Sequence, residues 1–239
     1  SGLLFVLAVA GWIASLLIKA EEVPIEHRER LNPFAYMKSS HKMALKYKGL
    51  NTVIYVLSIF WWFATTIQLC TIVYCQDAMG LEKGKPGIIM CIAAIGISLG
   101  CVISGKIGHH MPNEIVRVPF YGILLSLGLI GIFCLNSGHY IIFTILLFFV
   151  GILGGMFKVP LDAAIQKTVK SDELNTILAY FNQVSFLFMF GASVTYYTIT
   201  QILPQRYVFL MLAIVMIASS IWLIFDYPQV KQFYKDLKS

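Results

Sequence analysis

The residues best able to do chemistry in this chain form a short polar cluster at the end of an apolar run. In residues 154–166, GGMFKVPLDAAIQ, Lys158 and Asp162 stand four positions apart with Pro160 between them, and Gln166 follows. A spacing of four permits an ion pair on a continuous helix. Proline removes a backbone donor and disturbs the preceding turn. We therefore expect a broken helix end from residue 158 to residue 166, with its polar groups meeting neighbouring helices or lipid phosphate.

A second group of polar residues recurs every three or four positions between residues 175 and 202. This spacing puts them on one face of a helix, which we expect to look toward the bundle interior or a cavity. Residues 51–75 also hold polar groups inside an apolar run, where an unpaired polar atom is unfavourable. For Asn182 and Gln68, lining a cavity and bonding a neighbouring helix remain open alternatives. The candidates for lining a pathway are Trp61, Trp62, Gln68, Asn175, Asn182 and Ser185.

The composition identifies the elements that carry these residues as membrane-spanning helices. Of 239 residues, 58% are hydrophobic and 13% are charged, and the mean hydropathy is +0.77. Soluble domains average about half apolar and about a quarter charged residues. A spanning helix needs about 20 largely apolar residues, and seven such stretches predict an all-α membrane protein. They cover residues 3–19, 51–75, 87–105, 119–136, 139–157, 175–202 and 207–225.

The positions of the basic residues predict the orientation, because Lys and Arg accumulate in cytoplasmic loops. If residues 20–50 are cytoplasmic, only Lys83, Lys85 and Arg206 of the 18 basic residues lie outside. The C-terminus is then cytoplasmic. The net charge of +6 is explained by topology and by contact with membrane lipids, so we expect no nucleic-acid partner.

We expect four segments in what would be the later part of a longer protein. Residues 1–19 would be the last span of a preceding N-terminal half, and residues 20–50 a basic cytoplasmic linker lying on the inner membrane surface. Residues 51–226 would form a compact six-span unit, followed by a cytoplasmic tail at 227–239. A long cytoplasmic loop before a six-span half is typical of transporters built from two halves.

Small residues predict where the spans touch, since close backbone approach carries much of the packing energy between helices in lipid. The glycines expected at such contacts are Gly96, Gly100, Gly105, Gly154 and Gly155.

Other kinds of site find no support in the sequence. The five cysteines are scattered without C-x-x-C spacing, which favours small apolar fillers over a disulfide framework or a metal site. His109 and His110 lack carboxylate or cysteine companions, so a solvated turn is favoured. No phosphate-binding or nucleophile motif occurs. We expect neither an enzyme active site nor a cofactor.

Four stretches resemble the C-terminal half of a major facilitator superfamily transporter, and most closely the bacterial lysophospholipid transporter family. Residues 151–166, GILGGMFKVPLDAAIQ, are similar to that family's G-x-x-G-G-x-F-x-V-P-L-N-A-x-x-Q at the end of its tenth span. Residues 175–182, NTILAYFN, resemble its G-x-V-x-A-x-x-N. Residues 61–68 and 96–106 resemble its seventh and eighth spans. Asp162 stands where the family has asparagine, and Lys158 adds a charge.

This resemblance implies the last span of an N-terminal half plus a six-helix C-terminal half of a major facilitator fold. It further implies a carrier that moves lysophospholipid across a bacterial inner membrane, where an associated or fused acyltransferase reacylates it. Lys158, Pro160, Asp162 and Gln166 would then belong to a gate-like motif. Two alternatives remain open, namely a facilitator for another small solute such as a drug, peptide or sugar, and a membrane module that anchors a fused acyltransferase or ligase.

Overall fold

The computed structural model describes residues 2–16, 33–110, 114–136 and 138–236, and every regular element within them is helical. The helices are α1 (Gly2–Leu16), α2 (Pro33–Ala44), α3 (Leu50–Asp77), α4 (Lys85–His110), α5 (Val118–Cys134), α6 (Tyr140–Thr168), α7 (Ser171–Ile202), α8 (Arg206–Asp226) and α9 (Pro228–Asp236), with a 3-10 helix at Glu114–Arg117.

Helices α3 to α8 are each long and apolar enough to cross a membrane. The prediction of an all-α membrane protein is thereby confirmed. Helix α1 is described over 15 residues, whereas the predicted first span, residues 3–19, extends beyond the described range. Most of the predicted linker before residue 33 also lies outside the described residues.

The chain divides into two compact units, residues 1–36 and residues 37–239. The first contains α1. The second contains the bundle, in which α4 packs along α6, α3 along α7, and α5 along both α6 and α8.

The bundle has two ends, because short connections make consecutive spans run in opposite directions. We call the end with the start of α3 and the end of α8 the proximal end. There the Thr52 hydroxyl donates to the Asp226 carboxylate. Gly49, with a φ of 82°, faces the Tyr227 ring, which would lie 2.8 Å from a Cβ. The distal end holds the α3–α4, α5–α6 and α7–α8 connections.

Glycines bring α4 and α6 into direct backbone contact. A Cβ on Gly96 would overlap the carbonyl oxygen of Phe148, and one on Gly100 would overlap that of Ile152. From the other side, a Cβ on Gly155 would overlap the Ile97 carbonyl oxygen, and one on Gly151 would lie 2.7 Å from that of Ala93. The close approach of α4 and α6 therefore requires glycine at these four positions.

The two remaining predicted packing glycines behave differently. Gly154 faces the Phe60 ring at 3.6 Å, which is ordinary van der Waals contact. Gly105 has nothing of the described structure within 4 Å of a Cβ, so it makes no close contact with a described helix. Gly105 lies on α4 between the crossing with α6 and the proximal end of the helix. The neighbouring residues 102 and 103 are exposed.

Helix α6 contradicts the expected break after residue 158, since it continues through Pro160 to Thr168. Proline leaves the carbonyl four residues earlier without its helical partner. Spanning helices tolerate this where neighbouring elements hold the segment in place. Phe157 and Leu161 are fully buried on either side of Pro160, which is itself buried. Tertiary packing therefore overrides the local effect of the proline.

The segment after α2 contacts α7 at the proximal end. Glu173 accepts hydrogen bonds from the Lys46 ammonium at 3.1 Å and the Tyr47 hydroxyl at 2.7 Å. The bond to Glu173 is the main reason why the pKa of Tyr47 is raised. On α2 itself, the His41 imidazole and the Tyr180 hydroxyl are joined by a 2.9 Å hydrogen bond. Part of the predicted linker is therefore bound to the bundle.

Gly100→Ala should destabilise the bundle, because the new methyl group meets the backbone of Ile152 and not a flexible side chain. We expect a loss of about 1–3 kcal/mol in the free energy of unfolding, the range typical of overpacking. Gly105→Ala is the matched control on the same helix, and its better helix propensity should leave stability unchanged or raised by up to about 1 kcal/mol. Unfolding of both variants in the same detergent checks this. Equal stability of the two variants would contradict the assigned contact.

Candidate functional site

Helix α3 directs its two central tryptophans to different neighbours. Trp61 lies toward α6, and its ring contacts the Lys158 ammonium. Trp62 lies toward α7, where its indole N–H donates to the Thr195 hydroxyl at 3.4 Å. Adjacent residues on a helix are about 100° apart, so the pair predicted to line one pathway is divided between two interfaces.

The Trp61 side of α3 borders a cavity of about 250 Å³ between α3, α4 and α6. Gln68, two turns further along α3, also lines it. Apart from Thr71, the other walls are apolar side chains and glycine backbone. They include Phe60, Phe63, Ile67, Met90, Ala93, Ile97, Leu147, Val150, Gly151 and Gly154. Such a cavity suits an alkyl or aromatic group with one polar contact near Gln68.

A charged pair stands beside this cavity. Lys158 and Asp162 form an ion pair across one turn of α6, with side chains 27% and 30% exposed. The Lys158 ammonium also lies 5.5 Å from the centroid of the Trp61 ring, a favourable cation–π distance. Trp61 is therefore shared by the apolar cavity and the charged pair, and we call the cavity and the pair together the inner site.

The inner site lies well inside the spanning segment. Lys158 precedes the end of α6 by ten residues and Trp61 follows the start of α3 by eleven. At about 1.5 Å per residue, both are roughly 15 Å from the proximal ends of their helices. A lone charge at such a depth is strongly unfavourable, which explains why Lys158 has both a carboxylate and an aromatic ring as neighbours.

The other members of the predicted motif lie elsewhere. Pro160 faces a separate cavity of about 140 Å³ near the proximal end, which Glu114, Lys167 and Tyr227 also line. Gln166 is exposed, near the end of α6. The motif residues are therefore spread around the helix, and only Lys158 and Asp162 belong to the inner site.

The residues predicted to form a polar face on α7 differ in their burial. Ser185 is buried and its hydroxyl bonds the Ser58 hydroxyl at 3.1 Å, so it connects α7 to α3. Asn175 and Asn182 are exposed on the surface of the described bundle. Gln183, on the same helix, has a buried Oε1 without a hydrogen bond to any described residue.

Two groups with polar contacts were missed by sequence reasoning. His41, Tyr55 and Tyr180 form a chain of hydroxyl and imidazole contacts, with 3.5 Å between the two tyrosine oxygens. Asp77, Gln205 and Arg206 meet at the distal end, where they line a cavity. Both groups join residues more than 120 positions apart, and periodicity within one helix carries no signal for such pairs.

No cluster of three His, Cys, Asp or Glu side chains suited to a metal ion occurs among the described residues. The inner site can therefore act through its ammonium, carboxylate, amide and apolar groups. Together these can bind an amphipathic molecule with a charged head.

Comparison with known proteins gives one family and a consistent set of relatives. The family described as Major Facilitator Superfamily matches residues 1–192. A lysophospholipid transporter, LplT, of Serratia proteamaculans is 30% identical over 117 residues, which are 48% of this chain and 28% of the relative. The LplT of Yersinia enterocolitica is 29% identical over 117 residues, again 48% and 28% of the two chains. The matched segment is thus less than a third of each relative.

The ion pair can be tested by a double-mutant cycle of Lys158→Met and Asp162→Asn. Each single change leaves a cation without its anion or a carboxylate without its cation, so we expect each to lower the free energy of unfolding by about 1–3 kcal/mol. The double variant should lose less than the sum. Thermal unfolding in detergent measures all four proteins.

The pair of Lys46 and Glu173 is the control for this cycle, since its ammonium partner, Lys46, is 63% exposed although Glu173 is 23% exposed, and water screens a pair with one exposed member. Its two variants should be additive. If the losses of unfolding free energy from Lys158→Met and Asp162→Asn are additive, the two side chains do not stabilise the protein by interacting with each other.

Proposed function

The chain belongs to the Major Facilitator Superfamily, and from this premise we propose that it is part of a transporter that moves lysophospholipid across the inner membrane of a bacterium. The proposal extends to the complete protein, in which an N-terminal half would face this bundle. The lysophospholipid transporters of Serratia and Yersinia support the substrate class through about half of this chain.

The observation that carries the proposal is the position of Trp61 between an apolar cavity and an ammonium group. A lysophospholipid has an anionic phosphate at one end and a single acyl chain at the other. Lys158 offers a charge-assisted hydrogen bond to phosphate, and the cavity of about 250 Å³ offers space for part of the chain. The inner site therefore matches both ends of such a molecule.

Asp162 gives this binding a means of release. In the absence of substrate it accepts the bond from Lys158, so the ammonium is neutralised within the spanning segment. An arriving phosphate competes with the carboxylate for the same donor, and like charges repel the carboxylate from the phosphate. Binding that exchanges one anion for another is weak enough for the substrate to leave, as a carrier requires.

The orientation we propose has the proximal end in the cytoplasm. Lys and Arg concentrate in the segments at that end, as cytoplasmic loops do, and α9 with Lys231 and Lys235 would lie there as the cytoplasmic tail. Lysophospholipid delivered to this side would be available to a fused or associated acyltransferase.

Transport by the complete protein in vesicles tests this function. Labelled lysophosphatidylethanolamine should move across the membrane, and Lys158→Gln should lower the rate roughly tenfold through loss of a charge-assisted hydrogen bond. Trp61→Leu should also lower it, since it removes the cation–π contact and reshapes the cavity. Trp222→Leu is the control, because Trp222 stacks on Tyr55 at 6.3 Å, away from the inner site.

Three outcomes would overturn the proposal in different ways. Movement of a hydrophilic solute without lysolipid would indicate a facilitator for another substrate. Movement of neither would favour a membrane anchor for a fused enzyme. Lysolipid transport unaffected by Lys158→Gln would remove the inner site from the pathway.

A further inference from the structure

A second cavity, of about 280 Å³, opens at the distal end of the bundle. It forms where the end of α3, the α5–α6 connection and the α7–α8 connection meet. Asp77, Asn136, Gln205 and Arg206 line it together with Tyr74 and Pro204. It is separate from the inner site, and neither the family motifs nor the predicted pathway includes it.

Arg206 supplies a fixed cation to this cavity. Its guanidinium lies 5.7 Å from the centroid of the Phe133 ring and 5.5 Å from that of the Tyr207 ring. These contacts hold the side chain by cation–π interaction and leave its N–H donors for other partners. No carboxylate in the described part of the chain lies within ion-pair distance of it. A planar guanidinium held in this way is well suited to a phosphate group.

A negatively charged group, the Asp77 carboxylate, also lines this cavity. The Asp77 carboxylate accepts a 3.2 Å hydrogen bond from the Gln205 amide nitrogen. The other end of that amide, Oε1, is buried and has no hydrogen bond to any described residue. Buried acceptors are normally satisfied. That oxygen has no surface exposed to the cavity, so the Asp77 carboxylate is the acceptor that suits a ligand with a protonated amine.

Two exposed apolar residues directly precede the cavity-lining Pro204 in the chain. Ile202 and Leu203, which lead into Pro204, are 77% and 45% exposed. They end a spanning helix, so their side chains face the outer part of the hydrocarbon layer. A ligand with its head in the cavity would lay an attached alkyl chain along these residues.

We propose that this distal cavity is a docking site for a zwitterionic lysolipid head group, one with a phosphate and a primary amine. Arg206 binds the phosphate, Asp77 binds the ammonium, and the acyl chain lies against Ile202 and Leu203. The cavity captures the lipid at the membrane face opposite the cytoplasm before it reaches the inner site. This inference rests on the proposed function and adds to it a basis for head-group selection.

Binding of two lysolipids to the complete protein in detergent tests the site. The probes are lysophosphatidylethanolamine, which has the amine, and lysophosphatidylglycerol, which lacks it. Titrations are made in the Lys158→Gln background, so that the inner site contributes little. Arg206→Gln should weaken binding of both lipids about tenfold, because both carry the phosphate. Asp77→Asn should weaken binding of the amine-bearing lipid only. The ratio of the affinity for this lipid to that for lysophosphatidylglycerol should therefore fall about fivefold or more.

Matched controls come from the α3–α4 connection at the same end, where Glu82 and Lys83 are exposed and outside the cavity. Glu82→Gln and Lys83→Gln should leave both affinities unchanged. The preference ratio is measured within one variant, so it does not depend on the yield of folded protein. Glycerophosphoethanolamine, the head group without a chain, should bind at least tenfold more weakly than the lysolipid.

The results separate this inference from the proposed function. Equal weakening of both lipids by Asp77→Asn, or an effect of Lys83→Gln as large as that of Arg206→Gln, would overturn the distal site. Glycerophosphoethanolamine bound as tightly as the lysolipid would show that the site takes a soluble head group instead. If the complete protein binds lysolipid with the expected ratios but moves none in vesicles, the proposed function fails and the distal site stands.

Discussion

The close contact between α4 and α6 is the constraint on which the remaining structure depends. Gly96, Gly100, Gly151 and Gly155 each face a backbone carbonyl where any side chain would overlap or crowd it. In lipid there is no aqueous phase to drive such helices together, so van der Waals contact and weak Cα–H to carbonyl interactions must stabilise the crossing. The rotation of α6 that permits this contact also directs Lys158 toward Trp61. The inner site therefore follows from the packing of glycines one turn away.

Satisfaction of polar groups explains most of the remaining side chains in the bundle. Hydroxyls such as those of Thr65, Thr66 and Ser126 donate to the carbonyl four residues earlier on their own helix. Ser58 and Ser185 bond each other between helices. The charges of Lys158 and Asp162 are satisfied in the same way, by pairing with each other. At the distal end, Arg206 has no carboxylate of the described structure within ion-pair distance, and a bound phosphate would give its charge a partner.

The two ends of the bundle are built differently. At the proximal end, the bond from Thr52 to Asp226, the packing of Tyr227 on Gly49 and the contacts of Tyr47 with α7 join distant segments. At the distal end, polar side chains surround a cavity of about 280 Å³.

The sequence by itself determined the membrane class, the number and approximate positions of the six spans in the bundle and the family, since these depend on composition, hydrophobic length and local motifs. It also placed Lys158 one turn from Asp162, because helical spacing alone permits that pair. Only the tertiary structure decided that α6 continues through Pro160, that Trp61 and Trp62 serve different interfaces, that Ser185 is buried while Asn182 is exposed, and that Arg206 and Asp77 line one cavity. Periodicity assigns a residue to a face of its helix. Which neighbour that face meets is set by the packing of whole helices, and this is a property of contacts between positions far apart in the chain.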